Sequence, residues 1–221
     1  ALDAGPIDYP AAALVCSGGH TALYRCQSPT SMELLGSTID DAAGEAFDKV
    51  ANILDLGYPG GPVVYRLARE RDPAAVRFPR PLLDDDSLDF SFSGIKTAVL
   101  YHVRGVPGRK RRAADEPPPA SPADVAASFQ AAVVDVLAGK LARAAERIGA
   151  RSLIVGGGVS ANSALRAAVE DLAARTDRAL RLPPLRYCVD NAAMTAGLAW
   201  HLLHEGVTAG WDLDARATVR R

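Results

Sequence analysis

A chain of 221 residues that is 48% hydrophobic has enough length and apolar content to bury a core, as one large domain or two small ones. A net charge of −1 excludes a protein drawn to nucleic acid by its overall field, so any such contact must rest on local patches. Three cysteines, Cys16, Cys26 and Cys188, with no CxxC pair, argue against a disulfide framework or zinc ribbon and for a reducing compartment.

The chain opens Ala-Leu-Asp-Ala-Gly-Pro, with neither a basic region nor a signal core, and with no initiator Met, as in a piece of a longer product. No uninterrupted apolar run reaches the roughly 18 residues of a membrane helix. These features predict a soluble, cytoplasmic protein with no membrane contact.

Residues 11 to 16 read as a buried strand, and Thr21 to Cys26 alternates as a second. Between them, Ser17-Gly18-Gly19-His20 is a turn that can be a plain hairpin or a small anion nest of backbone N–H groups. Residues 40 to 56 have helical period, with Ala43, Phe47, Val50 and Leu54 on one face. Asp41, Glu45, Asp48, Asn52 and Asp55 fall on the other face, and Lys49 is the nearby cation. Asp40 and Asp41 stand at the expected helix start, and Gly57 at the expected C-cap. Tyr58-Pro59-Gly60-Gly61-Pro62 follows as a stiff turn that can show bare backbone to a ligand. Carboxylates beside such a turn can hold ribose hydroxyls and a base edge, or form an ordinary solvated face.

Val63 to Arg71 is a further predicted helix, and Asp84-Asp85-Asp86 a solvated loop. Phe90 and Phe92 alternate with Ser91 and Ser93 as in a short strand, and a helix then runs from Ser93 to Tyr101. Its N-terminus can meet an anion, with Lys96 as a phosphate contact or a surface lysine. Residues 105 to 122 are a proline- and charge-rich loop, in which Arg109-Lys110-Arg111-Arg112 either touches RNA phosphates or is simply solvated. Ala123 to Ile148 is a long amphipathic helix capped by Gly149.

Ser152 to Val155 is a short buried strand, followed by Gly156-Gly157-Gly158-Val159-Ser160-Ala161-Asn162 and a helix from Ser163 to about Arg175. A strand, a glycine run and a helix start favour a nucleotide, although Asn162 can equally be the helix cap. Ala179 to Leu182 is the last strand. Asp190 opens a final apolar helix to Glu205, as its N-cap, with His201 and His204 in its last turn read as structural.

Taken in order, these motifs closely resemble the TsaD family, also called Gcp or YgjD. The resemblance is carried by Ser-Gly-Gly-His-Thr at 17 to 21, Asp-Asp-Ala-Ala-Gly-Glu-Ala-Phe-Asp-Lys at 40 to 49 and Tyr-Pro-Gly-Gly-Pro at 58 to 62. Phe-Ser-Phe-Ser-Gly at 90 to 94, Gly-Gly-Val at 157 to 159 with Asn162, and Asp-Asn-Ala-Ala-Met at 190 to 194 complete it. It implies an α/β actin-like ATPase (ASKHA) superfold, with a mixed sheet flanked by helices. It also implies transfer of a threonylcarbamoyl group from threonylcarbamoyl-AMP to N6 of the tRNA adenosine beside the anticodon. Val15, Cys16, Ser17, Gly18, Gly19, Asp48, Gly61 and Asn162 would hold the adenylate or ATP, and Asp190 would ligate one iron or zinc ion. The implied partners are tRNA and TsaB-like and TsaE-like subunits. Cys16 stands where the family usually has Val.

The family's metal site also uses a His-x-x-x-His pair. Here the histidines are His20, His102, His201 and His204, and no two have that spacing. The resemblance therefore implies that residues 1 to 221 are the C-terminal βα lobe, with a loop insertion at about 105 to 122 and without the N-terminal lobe. Two other readings of the same superfold are a kinase-like phosphotransferase and a non-catalytic nucleotide-binding module. No Ser-His-Asp or HExxH arrangement supports a protease.

Overall fold

The strands at the centre of the sheet, Ala-Ala-Ala-Leu-Val-Cys and Ser-Leu-Ile-Val-Gly, carry small and branched apolar residues suited to a buried sheet covered by helices. In the computed structural model, which describes residues 5–108 and 120–214, five strands form one mixed sheet. They are β1 (Ala11–Cys16), β2 (Thr21–Cys26), β3 (Met32–Ser37), β4 (Ser152–Gly156) and β5 (Ala179–Arg181), in the order β3-β2-β1-β4-β5. The first three form an antiparallel meander, whereas β4 pairs parallel to β1, and β5 parallel to β4.

Parallel pairing needs crossovers, and helices supply them. Between β3 and β4 lie α1 (Ala43–Ile53), α2 (Gly60–Ala68), α3 (Ser93–Arg104) and α4 (Pro122–Arg147). Between β4 and β5 lies α5 (Ser163–Arg175), and α6 (Ala192–His204) follows β5. One sheet face, with Leu14, Leu23 and Leu153, packs against Phe47 and Val50 of α1 and Phe129, Val133 and Leu137 of α4. The opposite face carries only a small cluster of Ala11, Ala13 and Cys26 under Ile7 and Tyr9.

The helix α4 is the core of the fold. Ser121 accepts the Asp124 N–H as its N-cap, Pro122 opens its first turn, and Gly149 follows its end with φ 60°. Its composition and length would allow it to cross a membrane, but 67% of its most apolar stretch is buried inside the protein. Lys140 of this helix is fully buried and ends on Asp85 Oδ1 at 3.1 Å and the Ser87 carbonyl. The Asp84–Asp86 segment is thus a docked loop, not a free one.

Several elements differ from expectation. Strand β3 has no clear sequence alternation because it is an edge strand whose Met32, Glu33 and Leu34 are all exposed. Phe90 and Phe92 are fully buried on one side, but only Phe90 pairs, in a single bridge to Thr38. Helix α2 starts at Gly60, earlier than predicted, because Asp48 Oδ1 accepts the Gly60 N–H at 2.8 Å and Pro62 is tolerated in a first turn. Helix α1 ends at Ile53, Asp55 (φ 56°) takes the left-handed position that closes it, and the predicted Gly57 (φ 84°) is left-handed too, two residues further on. The Leu56 N–H reaches the Ala51 carbonyl and the Asp55 N–H the Asn52 carbonyl, a Schellman closure. Asn191, not Asp190, caps α6, accepting the Met194 N–H at 3.0 Å. The basic run 109–112 lies outside the described residues.

Helix α6 buries none of its residues, although its sequence, Ala-Ala-Met-Thr-Ala-Gly-Leu-Ala-Trp-His-Leu-Leu-His, is the most apolar of the six. His201 and His204 both lie against Trp200, with ring centroids 4.8 and 4.0 Å away, which agrees with a structural role for them.

Candidate nucleotide site

Three segments converge where β1 ends. The Ser17 turn is closed by the Ser17 N–H donating to the His20 carbonyl and the His20 N–H donating to Ser17 Oγ. The Gly18 and Gly19 N–H groups find no acceptor among the described residues. A methyl group added at either glycine would meet nothing within 4 Å. Packing therefore does not require glycine there, and the turn leaves open space above two unpaired donors.

The first turn of α1 backs this turn. Gly44 donates to the Ser17 carbonyl at 3.0 Å, and Ala43 to Thr21 Oγ1 at 2.9 Å. A Cβ on Gly44 would lie 2.6 Å from the Ser17 carbonyl oxygen, so glycine is needed for this approach. On the other side stands Gly157, with φ 90° and a Cβ direction that runs into the Cys16 carbonyl at 2.3 Å. The end of β1 is thus flanked by α1 and by the glycine run after β4.

Helix N-termini, by contrast, are already occupied. The anion at the start of α3 is Asp40, which accepts the Phe92 and Ser93 N–H groups and both the Ser91 and Ser93 hydroxyls. Burial pulls the Asp40 carboxyl upward, but these four bonds outweigh it and hold its pKa below the usual carboxylate range. Lys96 does not point to a ligand phosphate; it pairs with Asp41 at 2.9 Å, as Lys49 does at 2.5 Å. Burial also acts to raise Asp41, and the two lysines hold its pKa low. Asp41 precedes α1 rather than lying on it, so the expected acidic stripe has two cations, not one, to offset it.

Asn162 caps α5. Its Oδ1 accepts the Ala164 and Leu165 N–H groups, and its Nδ2 donates to Gln130 Oε1 at 2.8 Å. Gln130, a nearly buried amide on α4, was legible only as a polar interruption in an apolar stripe. The glycine run itself turns through a short 3₁₀ segment, Gly158–Ala161, closed by the Ser160 hydroxyl on the Gly157 carbonyl.

Asp48 lines a cavity of about 360 Å³ together with Asn52, Asp55, Gly57 and Tyr58. None of Val15 to Gly19, Gly61 or Asn162 lines this cavity. Gly61 sits one residue beyond the Asp48–Gly60 bond, with open space where a Cβ would be. Asn52 and Asp55 stand on the polar face that the periodicity of α1 marks as able to hold ribose hydroxyls or to be solvated, and Tyr58 opens the turn beside it, but the family resemblance assigns none of the three to the adenylate.

Cys16 is fully buried; burial, followed by the nearby Cys188, pushes its thiol up to about 12. It serves as an apolar filler at the end of β1. Val15 is partly exposed on the opposite sheet face.

Asp190 is exposed, whereas Cys188 is buried with Sγ toward the Pro184 carbonyl, so the two do not face one ion. Among the described residues no three His, Cys, Asp or Glu side chains gather as a metal would need. The donor set among the described residues does not by itself fit an iron or zinc ion.

Comparison with known proteins gives a consistent result. The family model described as tRNA N6-adenosine threonylcarbamoyltransferase matches residues 1–197. Proteins of that name from Geobacter sp. (strain M21) and Trichlorobacter lovleyi are each 49% identical, over 210 and 213 residues. The alignments cover 95% and 96% of this chain and 59% and 60% of those proteins. A namesake from Paracidovorax citrulli is 48% identical over 98% of this chain and 63% of its own length. The chain therefore spans about three-fifths of the length of the relatives it matches.

Proposed function

The chain belongs to the tRNA N6-adenosine threonylcarbamoyltransferase family, and from that premise we propose that it supplies the adenylate-binding part of a threonylcarbamoyl-transfer site. The carrying observation is the Ser17-Gly18-Gly19 turn, with two backbone N–H groups that find no acceptor among the described residues, under open space. In the proposed reaction N6 of the tRNA adenosine beside the anticodon attacks the carbamoyl carbon of threonylcarbamoyl-AMP. The N6–C bond forms and the C–O bond to the phosphate breaks; AMP leaves with that electron pair, N6 gives up a proton to solvent, and negative charge grows on the phosphate. Backbone N–H groups fixed in a turn are suited to that charge, since they need no reorganisation when it appears.

Asp48 offers a carboxylate to the ribose hydroxyls. Only its Oδ1 is engaged, by Gly60, among the described residues. Gly61 leaves room for the nucleotide, and the glycine run held by Asn162 walls the other side. Val15 and Cys16 set the strand end from which the turn projects.

The remaining length of the relatives suits a second lobe. Helix α6, which buries none of its residues and exposes Met194, Leu198, Trp200 and Leu203, is an apolar surface for such a lobe to cover. Asp190, just before α6, would be one ligand of an iron or zinc ion completed from that lobe. Bound there, the metal would polarise the carbamoyl carbonyl. tRNA and TsaB-like and TsaE-like subunits remain the proposed partners, with Arg109 to Arg112 as a phosphate contact.

The test is titration calorimetry of the 221-residue chain with AMP, alongside Gly18→Val and Asp48→Ala. The expected result is measurable binding to the unaltered chain and loss of about tenfold or more in each variant. Equal affinity in all three would sink the assignment of this turn.

A further inference from the structure

We propose that Tyr58 is the stacking platform for the adenine ring of the bound adenylate. The proposal rests on the nucleotide reading above and adds to it the direction in which the nucleotide lies.

Tyr58 is 84% exposed, more than any other large apolar side chain between residues 5 and 108. Its backbone is nevertheless firmly placed. The next residue but one, Gly60, donates to Asp48 Oδ1, and a Cβ there would lie 2.5 Å from the Asp48 Cα and 2.8 Å from the Ala51 Cβ. A ring this exposed, on a loop anchored at its end by Gly60, contributes little to the core of the fold. It suits a flat ligand, because a tyrosine ring gives stacking area at low entropic cost.

The cavity beside the ring has a matching chemistry. Asp48, Asn52 and Asp55 line it with Tyr58, and its volume of about 360 Å³ falls within the range of small-ligand sites. Two carboxylates exclude a phosphate from this end. They accept hydroxyl and amine hydrogens, the groups carried by a ribose and by the edge of adenine.

The spacing along α1 orders these contacts. Gly44 touches the Ser17 turn, and Asp48 lies four residues further, about 6 Å along the helix at about 1.5 Å per residue. Asn52 lies another turn beyond, beside Tyr58. A nucleotide laid along α1 therefore places its phosphate at the turn, its ribose at Asp48 and its base at Tyr58. Phosphate, sugar and base then follow one another in the same order as these contacts along α1.

The experiment compares AMP with ribose 5-phosphate on the 221-residue chain by calorimetry, for the unaltered protein, Tyr58→Ala and Tyr58→Phe. Because the side chain is exposed, neither substitution removes core packing, and thermal melting of each variant checks this. Loss of base stacking predicts AMP binding about tenfold weaker in Tyr58→Ala and within about twofold of normal in Tyr58→Phe. Ribose 5-phosphate should bind all three alike. Equal AMP affinity in Tyr58→Ala and the unaltered chain overturns the proposal while leaving the nucleotide site standing. A parallel loss of ribose 5-phosphate also overturns it, since the ring would then act on the sugar or the loop. If neither ligand binds the unaltered chain, the site reading fails and this proposal fails with it.

Discussion

Ser93 donates its hydroxyl to Asp40 at 2.7 Å across 53 residues of sequence, and this bond ties the first turn of α3 to the segment that leads into α1. Asp41, next to it, adds Lys96 of α3 and Lys49 of α1. Both carboxyls have depressed pKa values in the folded protein. A group depressed on folding contributes stability that is complete above its unfolded value, about 3.9 for Asp, and is lost as pH falls through the folded value. Stability should therefore be flat from neutrality to about pH 5 as far as these two groups are concerned, then fall in the acid range. In Asp40→Asn the acid limb should be shallower, and urea melts between pH 3 and 7 would show it. An unchanged acid limb would mean that other carboxyls control it.

Lys140 makes a second long-range tie, to the 84–86 loop. Its ammonium is wholly buried while Asp85 is 45% exposed. Removing the exposed partner should hurt more than its exposure suggests, because the buried cation then keeps only the Ser87 carbonyl. Asp85→Ala is expected to cost about 2–3 kcal/mol, and adding Lys140→Met should recover part of that loss. Chemical denaturation of the two variants provides the comparison. Additive losses would contradict the pairing.

Asp55 holds a left-handed backbone where glycine is the commoner choice. Asp55→Gly should raise stability by roughly 0.5–1 kcal/mol by relieving that conformation. The same substitution removes an acceptor from the cavity beside Tyr58. Thermal melting should therefore rise while AMP affinity falls, and a fall in both would show that the side chain itself holds the end of α1.

Cys16 should be inert. A buried thiol pushed up to about 12 has almost no thiolate at pH 8. Iodoacetamide should leave it unmodified in the folded protein and label it only after unfolding, as peptide mass mapping would report. Cys16→Val, close in volume, should change stability by less than about 1.5 kcal/mol. Rapid labelling of the native chain would show that the end of β1 opens.

Local periodicity made most of the fold legible. The stripes of α1 and α4, the alternation of β2 and the glycine after α4 each declare an element without help from distant residues. Strand β3 was not legible because its side chains face solvent and its partners come from tertiary pairing alone. Neither was the true role of Asp40. At a predicted helix start it reads as a cap for the helix it precedes, yet its partners lie 51 to 53 residues away. Lys96 gave the converse misdirection: beside a helix N-terminus it suggests a phosphate, and Asp41 already fills that place. In the site, the motif residues were readable as types, but the cavity was not, because Tyr58 joins Asp48 only through the Gly60 bond that folds the loop back.

The two tryptophans of the chain, Trp200 in α6 and Trp211 after it, are both exposed, at 55% and 108%. Neither belongs to the core, so indole emission from the isolated chain should already be that of water-solvated tryptophan and should hardly shift when the core melts. The same placement makes Trp200 a built-in optical reporter: a blue shift would record the arrival of whatever covers α6, free of any signal from the β-sheet.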